Sequence, residues 1–126
     1  MGREATILIC DDEPTLRELM RVSLGDGYSF AEAADVAEAI ELANGVHPDL
    51  VLLDVMMPGG SGLSVLEHLR SVPALQNVPV VVISAFTADR DHLAAYDAGA
   101  NGFLKKPFDP DELERVVQEL LPQAGG

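Results

Sequence analysis

Residues 50–62 have the sequence Leu50-Val51-Leu52-Leu53-Asp54-Val55-Met56-Met57-Pro58-Gly59-Gly60-Ser61-Gly62. Its first four residues are apolar without alternation, which predicts a strand buried on both faces. Asp54 follows this strand directly, and the proline and glycines after it predict a loop. Open α/β sheets bind ligands outside the carboxyl ends of their strands, so Asp54 is a candidate functional residue.

The rest of the chain alternates between strand and helix patterns. The further predicted strands are residues 5–10, 28–33, 79–83 and 102–105. The predicted helices are residues 14–25, 35 to about 45, 63–69, Thr87 or Asp89 to Gly99, and 109–121. Short loops between alternating elements predict an α/β fold with a parallel sheet covered on both faces. We therefore predict a single domain over residues 1–126, with its core at about 5–121.

Polar residues follow four of the predicted strands. Right-handed crossovers bring the C-terminal ends of parallel strands to one edge of the sheet. The residues predicted to meet at that edge are Asp11, Asp12, Asp54, Ser84 and Lys106. The candidate site is therefore a cluster of carboxylates with one hydroxyl and one ammonium.

These residue types favour metal-assisted phosphoryl transfer. Crowded carboxylates repel each other unless a cation joins them, and oxygen ligands without His or Cys suit Mg²⁺, with Mn²⁺ as a substitute. Beside such a metal, Asp54 could attack a phosphoryl group as the nucleophile. Lys106 would neutralise the phosphoryl oxygens, and Ser84 would donate a hydrogen bond to one of them.

Two other activities fit the residues poorly. A phosphatase of the aspartyl-phosphate type would use a second acid two residues after the nucleophile, where this chain has Met56. A flavin or nucleotide binder would need a phosphate-binding loop after the first strand, where Asp11, Asp12 and Glu13 would repel phosphate. A phosphate-independent interaction module stays open as an alternative.

Composition narrows the class of partner. The chain has 21 acidic and 8 basic residues and a formal net charge of −13. Nucleic acids and anionic membranes are bound through basic patches, so we predict neither as a partner. The predicted partner is a basic protein surface. No segment approaches the length of about 18 apolar residues that a spanning helix needs, and no signal peptide is evident, so we predict a cytoplasmic protein.

Four motifs closely resemble the response regulator receiver domain of two-component signalling, in its stand-alone, chemotaxis-regulator-like form. They are Ile7 to Glu13, Leu53 to Gly62, Val82 to Ala85, and Gly99 to Phe108. The resemblance covers essentially the whole chain. It implies a flavodoxin-like, doubly wound sheet of five parallel strands in the order 2-1-3-4-5, with five helices.

The resemblance also implies roles for the acidic residues. Asp54 would be the phosphoacceptor. Mg²⁺ would be held directly by Asp12 and Asp54, through water by Asp11, and by the main-chain carbonyl of Met56.

The other site residues are implied to bind the phosphoryl group and to report its presence. Ser84 and Lys106 would bind the phosphoryl group, and the Lys106–Pro107 peptide bond is expected to be cis. Phe103 matches the switch aromatic of the family, which turns inward as the Ser84 hydroxyl moves toward the phosphate. From their positions two residues after Asp54 and Ser84, Met56 and Phe86 are predicted to influence the lifetime of the phosphoryl group.

The resemblance implies a switch whose catalysis is limited to its own aspartyl phosphorylation and dephosphorylation, not an enzyme with other substrates. A sensor histidine kinase or a histidine phosphotransfer protein would donate the phosphoryl group, and a downstream protein would be the target. The chain would be a monomer or a phosphorylation-linked dimer. One alternative stays open: a receiver excised from a larger DNA-binding, enzymatic or hybrid-kinase protein.

Overall fold

A five-stranded parallel sheet forms the centre of the computed structural model, which describes residues 4–85 and 94–121. The strands are β1 (Ala5–Cys10), β2 (Tyr28–Ala33), β3 (Leu50–Leu53), β4 (Val80–Ser84) and β5 (Gly102–Lys105). Their order across the sheet is β2-β1-β3-β4-β5. In the centre, Cys10 lies opposite Ala33 on one side and Leu53 on the other. The predicted fold class and strand order are confirmed.

Helices follow the strands and cover both faces of the sheet. They are α1 (Pro14–Leu24), α2 (Val36–Val46), α3 (Leu63–Ser71), α4 (residues 94–97 in the described part) and α5 (Pro110–Leu120). The carboxylates of Asp35 and Asp109 accept hydrogen bonds from backbone N–H groups in the first turns of α2 and α5, each at 2.8 Å. Such caps satisfy donors that the helix leaves unpaired. The predicted caps of the fourth helix, Thr87 and Asp89, lie outside the described residues.

Alternate side chains of the central strands build two separate cores. Leu8 and Leu53 point to one face, where α2 and α3 cover them with side chains such as Leu66. Ile9 and Leu52 point to the other face, against α1 and α5. Because both faces are covered, the paired stretches of β1 and β3, residues 7–10 and 50–53, are apolar at every position. The apolar runs at the centre of the sheet thus reflect burial on two sides.

The second helix ends later than its sequence suggests. We predicted an end near Asn44-Gly45, but α2 continues to Val46. His47 then takes a left-handed conformation, with φ of 50°, and its N–H donates to the carbonyl of Ala43. Gly45 stays helical because the left-handed cap, where glycine is usual, falls two residues further on.

The first strand ends in a buried cysteine. Cys10 is 1% exposed and packs in the core. Burial, with the nearby carboxylates of Asp11 and Glu38, raises the pKa of the Cys10 thiol. The thiol is therefore held in its protonated form as a small core residue.

No helix within residues 4–85 and 94–121 combines the length and the apolar character that crossing a bilayer requires.

Candidate functional site

The carboxyl ends of four strands bring the predicted site residues to one edge of the sheet. Asp11 and Ser84 are fully buried, and Asp54 is 3% exposed. The N–H of Asp54 donates to the carbonyl of Cys10 at 2.8 Å, which joins the ends of β3 and β1. The N–H of Lys106 donates to the carbonyl of Ser84 at 2.8 Å, which joins the ends of β5 and β4. Main-chain hydrogen bonds between strands thus set the positions of these side chains.

The two buried carboxylates are held in the same way. Asp11 Oδ1 accepts a hydrogen bond from the N–H of Glu13, and Asp54 Oδ1 accepts one from the N–H of Met56, both at 2.9 Å. In each case the second oxygen, Oδ2, lies 2.9 Å from Lys106 Nζ. The two acids therefore present their Oδ2 atoms to the same ammonium.

Lys106 is the positive group of this cluster. Burial alone would lower the pKa of its ammonium, but the hydrogen bond to Asp54 and the negative charges of Asp11 and Asp54 outweigh burial and raise it. The ammonium is consequently charged at neutral pH. The Lys106–Pro107 peptide bond is cis, as the resemblance implied.

The acidic residues fit a hard divalent cation. One ligand oxygen from each of Asp11, Asp12 and Asp54 can be chosen so that all lie within 4.8 Å of one another. The buried Oδ2 of Asp11 accepts no hydrogen bond of acceptable geometry from the residues that the structure describes, although Lys106 Nζ is close enough for ionic attraction. The formal charges of these three carboxylates and of the Lys106 ammonium sum to −2, which a divalent ion would balance. An all-oxygen donor set of this kind suits Mg²⁺.

Two other residues that were predicted to act at the site, Met56 and Phe103, belong to the described part of the chain. Met56 lies two residues after Asp54 in the loop and is 58% exposed. Phe103, on β5, is half-buried against Val55, Val82 and Ala95. Phe86, which was predicted to act with Met56, lies outside the described residues.

Two residues that the sequence did not single out contact the backbone of the site. Arg17 Nη1, on α1, donates to the main-chain carbonyl of Asp11 at 2.7 Å. Gly62, at the start of α3, packs so closely that a Cβ atom there would lie 2.3 Å from the Cα of Val55. Nothing in the sequence marks Arg17, while Gly62 is only one of three glycines in a loop.

A comparison with protein families matches residues 7–118 to the response regulator receiver domain. The response regulator Rre1 of Synechocystis is 39% identical over 96% of this chain and 53% of its own length. The phosphate regulon transcriptional regulatory protein PhoB of Escherichia coli is 35% identical over 94% of this chain and 54% of its own length. The chain thus spans about half the length of the curated relatives it matches.

Solved structures agree with this comparison. A response regulator from Chloroflexus aurantiacus matches with a TM-score of 0.89 and 33% identity, over 96% of this chain and all of the other. The chemotaxis response regulator CheY4 of Vibrio cholerae matches with a TM-score of 0.88 and 29% identity, over 94% of this chain and all of the other. Both the backbone and the sequence pattern are therefore shared with these proteins.

Proposed function

The chain belongs to the response regulator receiver domain family, and on that premise we propose that it is a phosphorylation-dependent switch whose phosphoacceptor is Asp54. One observation carries the proposal. The Asp54 carboxylate lies at the carboxyl edge of the sheet, 2.9 Å from the Lys106 ammonium and grouped with two other carboxylates. A nucleophile, a neutralising cation and potential metal ligands are the parts that phosphoryl transfer to a carboxylate requires.

The proposed metal is Mg²⁺, with Mn²⁺ as a substitute. Asp12 and Asp54 would hold it directly, Asp11 would hold it through water, and the main-chain carbonyl of Met56 would complete the set. The exposure of Asp12 supports this proposal, because Mg²⁺ keeps several of its waters and needs a ligand at the surface. When bound, the ion would neutralise charge on the phosphoryl oxygens.

In the proposed transfer, an oxygen of Asp54 attacks phosphorus while the bond between phosphorus and the histidine nitrogen of the donor breaks. The imidazole leaves with the electron pair of that bond. The Lys106 ammonium would move from the Asp54 carboxylate to one of the phosphoryl oxygens, where the negative charge then lies. The Ser84 hydroxyl would donate a hydrogen bond to another phosphoryl oxygen. Hydrolysis of the acyl phosphate by water would later restore the Asp54 carboxylate.

A groove beside the site supports a protein as the donor. A cavity of about 280 Å³ lies between α1 and the segment after β5, and its lining includes Leu16, Leu19, Pro107 and Phe108. Leu19 is 40% exposed, so an apolar surface is available next to Lys106. A kinase or phosphotransfer protein that covers this groove could carry its phosphohistidine to Asp54.

The proposed output is a change in the surface near β5. A phosphoryl group on Asp54 adds a charge of about −1.5 to −2 at the edge of the sheet. Movement of Ser84 toward that charge would leave space for Phe103 to turn inward from its half-buried position. The surface around β5 and α4 would then present a different shape to a downstream protein.

A second candidate function concerns the larger protein. Several relatives are named as transcriptional or DNA-binding regulators, and each is about twice as long as the matched region. This chain would then be the receiver part of a DNA-binding regulator. The net charge of −13 supports the view that the receiver itself does not contact DNA.

Intact mass spectrometry tests the proposed function. We expect the protein to gain one phosphoryl unit of about 80 Da after incubation with Mg²⁺ and acetyl phosphate. The gain should disappear when a chelator removes the metal. No gain with acetyl phosphate or with a panel of phosphorylated kinases would favour a phosphate-independent interaction module.

We expect Met56 to set how long the phosphoryl group persists. Its apolar side chain, two residues after Asp54, would limit the access of water to the acyl phosphate, so Met56→Asn should lose the phosphoryl group several-fold faster. The decay is followed by intact mass after removal of acetyl phosphate. Met56→Leu, which keeps the apolar volume, should decay like the wild type, and equal rates for all three proteins would contradict the prediction.

A further inference from the structure

We propose that Arg17 is a positioning residue for the proposed metal site, because it fixes the peptide that joins Asp11 to Asp12. The inference rests on the proposed function, since it concerns how that Mg²⁺ site is held. Arg17 lies on α1 and contributes no atom to the cluster of carboxylates.

The guanidinium of Arg17 bridges two parts of the chain. Its Nε donates to Glu32 Oε1 on β2 at 2.8 Å, and its Nη1 donates to the Asp11 carbonyl at 2.7 Å. The side chain of Arg17 is only 17% exposed. Because a planar guanidinium presents its N–H groups in fixed directions, the bond to Glu32 also aims the bond to Asp11.

Three successive peptide groups around Asp11 are fixed by hydrogen bonds. The N–H of Asp11 donates to the carbonyl of Ala33 at 3.0 Å, and the N–H of Glu13 donates to Asp11 Oδ1 at 2.9 Å. Between these, the carbonyl of Asp11 accepts from Arg17 at 2.7 Å. Of the three bonds, the one to Arg17 can be removed by a side-chain substitution that leaves every proposed metal ligand intact.

The peptide group held by Arg17 lies between two acidic residues that differ in solvent exposure. Asp11 is fully buried, whereas Asp12 is exposed. Rotation of this peptide would change where the Asp12 carboxylate stands relative to Asp11 and Asp54. Groups that orient metal ligands in this way commonly contribute a factor of about 10 to 100 to metal affinity.

The positive charge of Arg17, considered alone, predicts the opposite effect of its removal on Mg²⁺ affinity. Arg17 is a cation close to the proposed cation site, so loss of its charge should strengthen Mg²⁺ binding if it acts only through its field. Arg21 provides a matched control, since it lies one turn further along α1 and also binds Glu32, at 2.6 Å. The hydrogen bond of Arg21 goes to Glu32 and not to the backbone of Asp11, so Arg21→Gln removes the same charge without the positioning contact.

The experiment is a Mg²⁺ titration by isothermal calorimetry of the wild type, Arg17→Gln and Arg21→Gln at one ionic strength. We expect Arg17→Gln to bind roughly tenfold more weakly than the wild type. Arg21→Gln should bind as tightly as the wild type or more tightly. Equal affinities for the two variants would overturn the inference, while a wild type that binds no Mg²⁺ would overturn the proposed function on which it rests.

A metal-free measurement separates positioning from general destabilisation. The amide nitrogen of Asp12 belongs to the peptide whose carbonyl accepts from Arg17, so its ¹⁵N resonance should shift in Arg17→Gln and stay in place in Arg21→Gln. If Arg17→Gln fails to fold, Arg17→Lys tests the inference instead. Lysine keeps the positive charge but replaces the planar guanidinium and its several N–H donors with a single ammonium. Weaker Mg²⁺ binding by Arg17→Lys supports the inference, and wild-type affinity overturns it.

Discussion

Asp54→Asn is expected to abolish the gain of a phosphoryl group from acetyl phosphate and Mg²⁺, from one unit of about 80 Da to none. The physical reason is that an amide oxygen is a poor nucleophile and cannot carry the charge that the carboxylate brings to the attack. The substitution would also remove a carboxylate ligand of the proposed metal. The variant should remain folded, because Lys106 Nζ keeps its contact with Asp11 Oδ2 at 2.9 Å.

Asp26→Asn is the matched control for this substitution. Asp26 is exposed in the loop before β2, at the opposite edge of the sheet from Asp54. The control removes the same charge and should accept phosphate as the wild type does. Stoichiometric uptake at a unique site by Asp54→Asn, with Asp26→Asn unchanged, would defeat the assignment of Asp54 as the phosphoacceptor.

The residues at the strand ends could be predicted because neighbouring residues in the sequence mark where each strand ends. The topology of the fold then brings these ends together. Four of the five predicted strands are followed by a polar residue, and right-handed crossovers put these residues at one edge of the sheet. The ammonium of Lys106 therefore contacts Asp54, 52 positions away in the chain, at 2.9 Å. No long-range information was needed beyond the alternation of strands and helices.

The contacts that hold this edge in shape were not predictable from pattern. Arg17 stands on α1 among other charged residues, and its bond to a main-chain carbonyl depends on the path of the loop after β1. The rotation of α2 was not predictable from pattern either, since Ala39 is fully buried and the larger Ile40 is only half-buried. Helical spacing defines a face, but neighbouring elements determine how that face is turned.

Gly62, in the loop after Asp54, is a second residue whose role could not be predicted from the sequence pattern. Its φ is −59°, which any residue can adopt, so backbone conformation gives no reason for glycine. The reason is space, because a Cβ atom there would lie 2.3 Å from the Cα of Val55 and 2.7 Å from the carbonyl oxygen of Asp54. The N–H of Gly62 also donates to the carbonyl of Val55 at 2.9 Å, which closes the loop. Close approach of α3 to the backbone of the proposed phosphoacceptor thus depends on a missing side chain.

Gly62→Ala should therefore lower the free energy of unfolding by about 3 kcal/mol, the upper part of the range for overpacking a site that cannot relax. The added methyl group meets backbone atoms, so either α3 moves away or the peptides at Asp54 and Val55 shift, and phosphoryl uptake should slow as well. Urea unfolding measures the stability, and intact mass measures the uptake.

Gly45→Ala is the control: it lies in α2 with open space around its Cβ, and its stability should be unchanged or raised by less than about 1 kcal/mol. If the two alanine variants unfold at the same urea concentration, the close contact at Gly62 does not constrain the loop that carries Asp54.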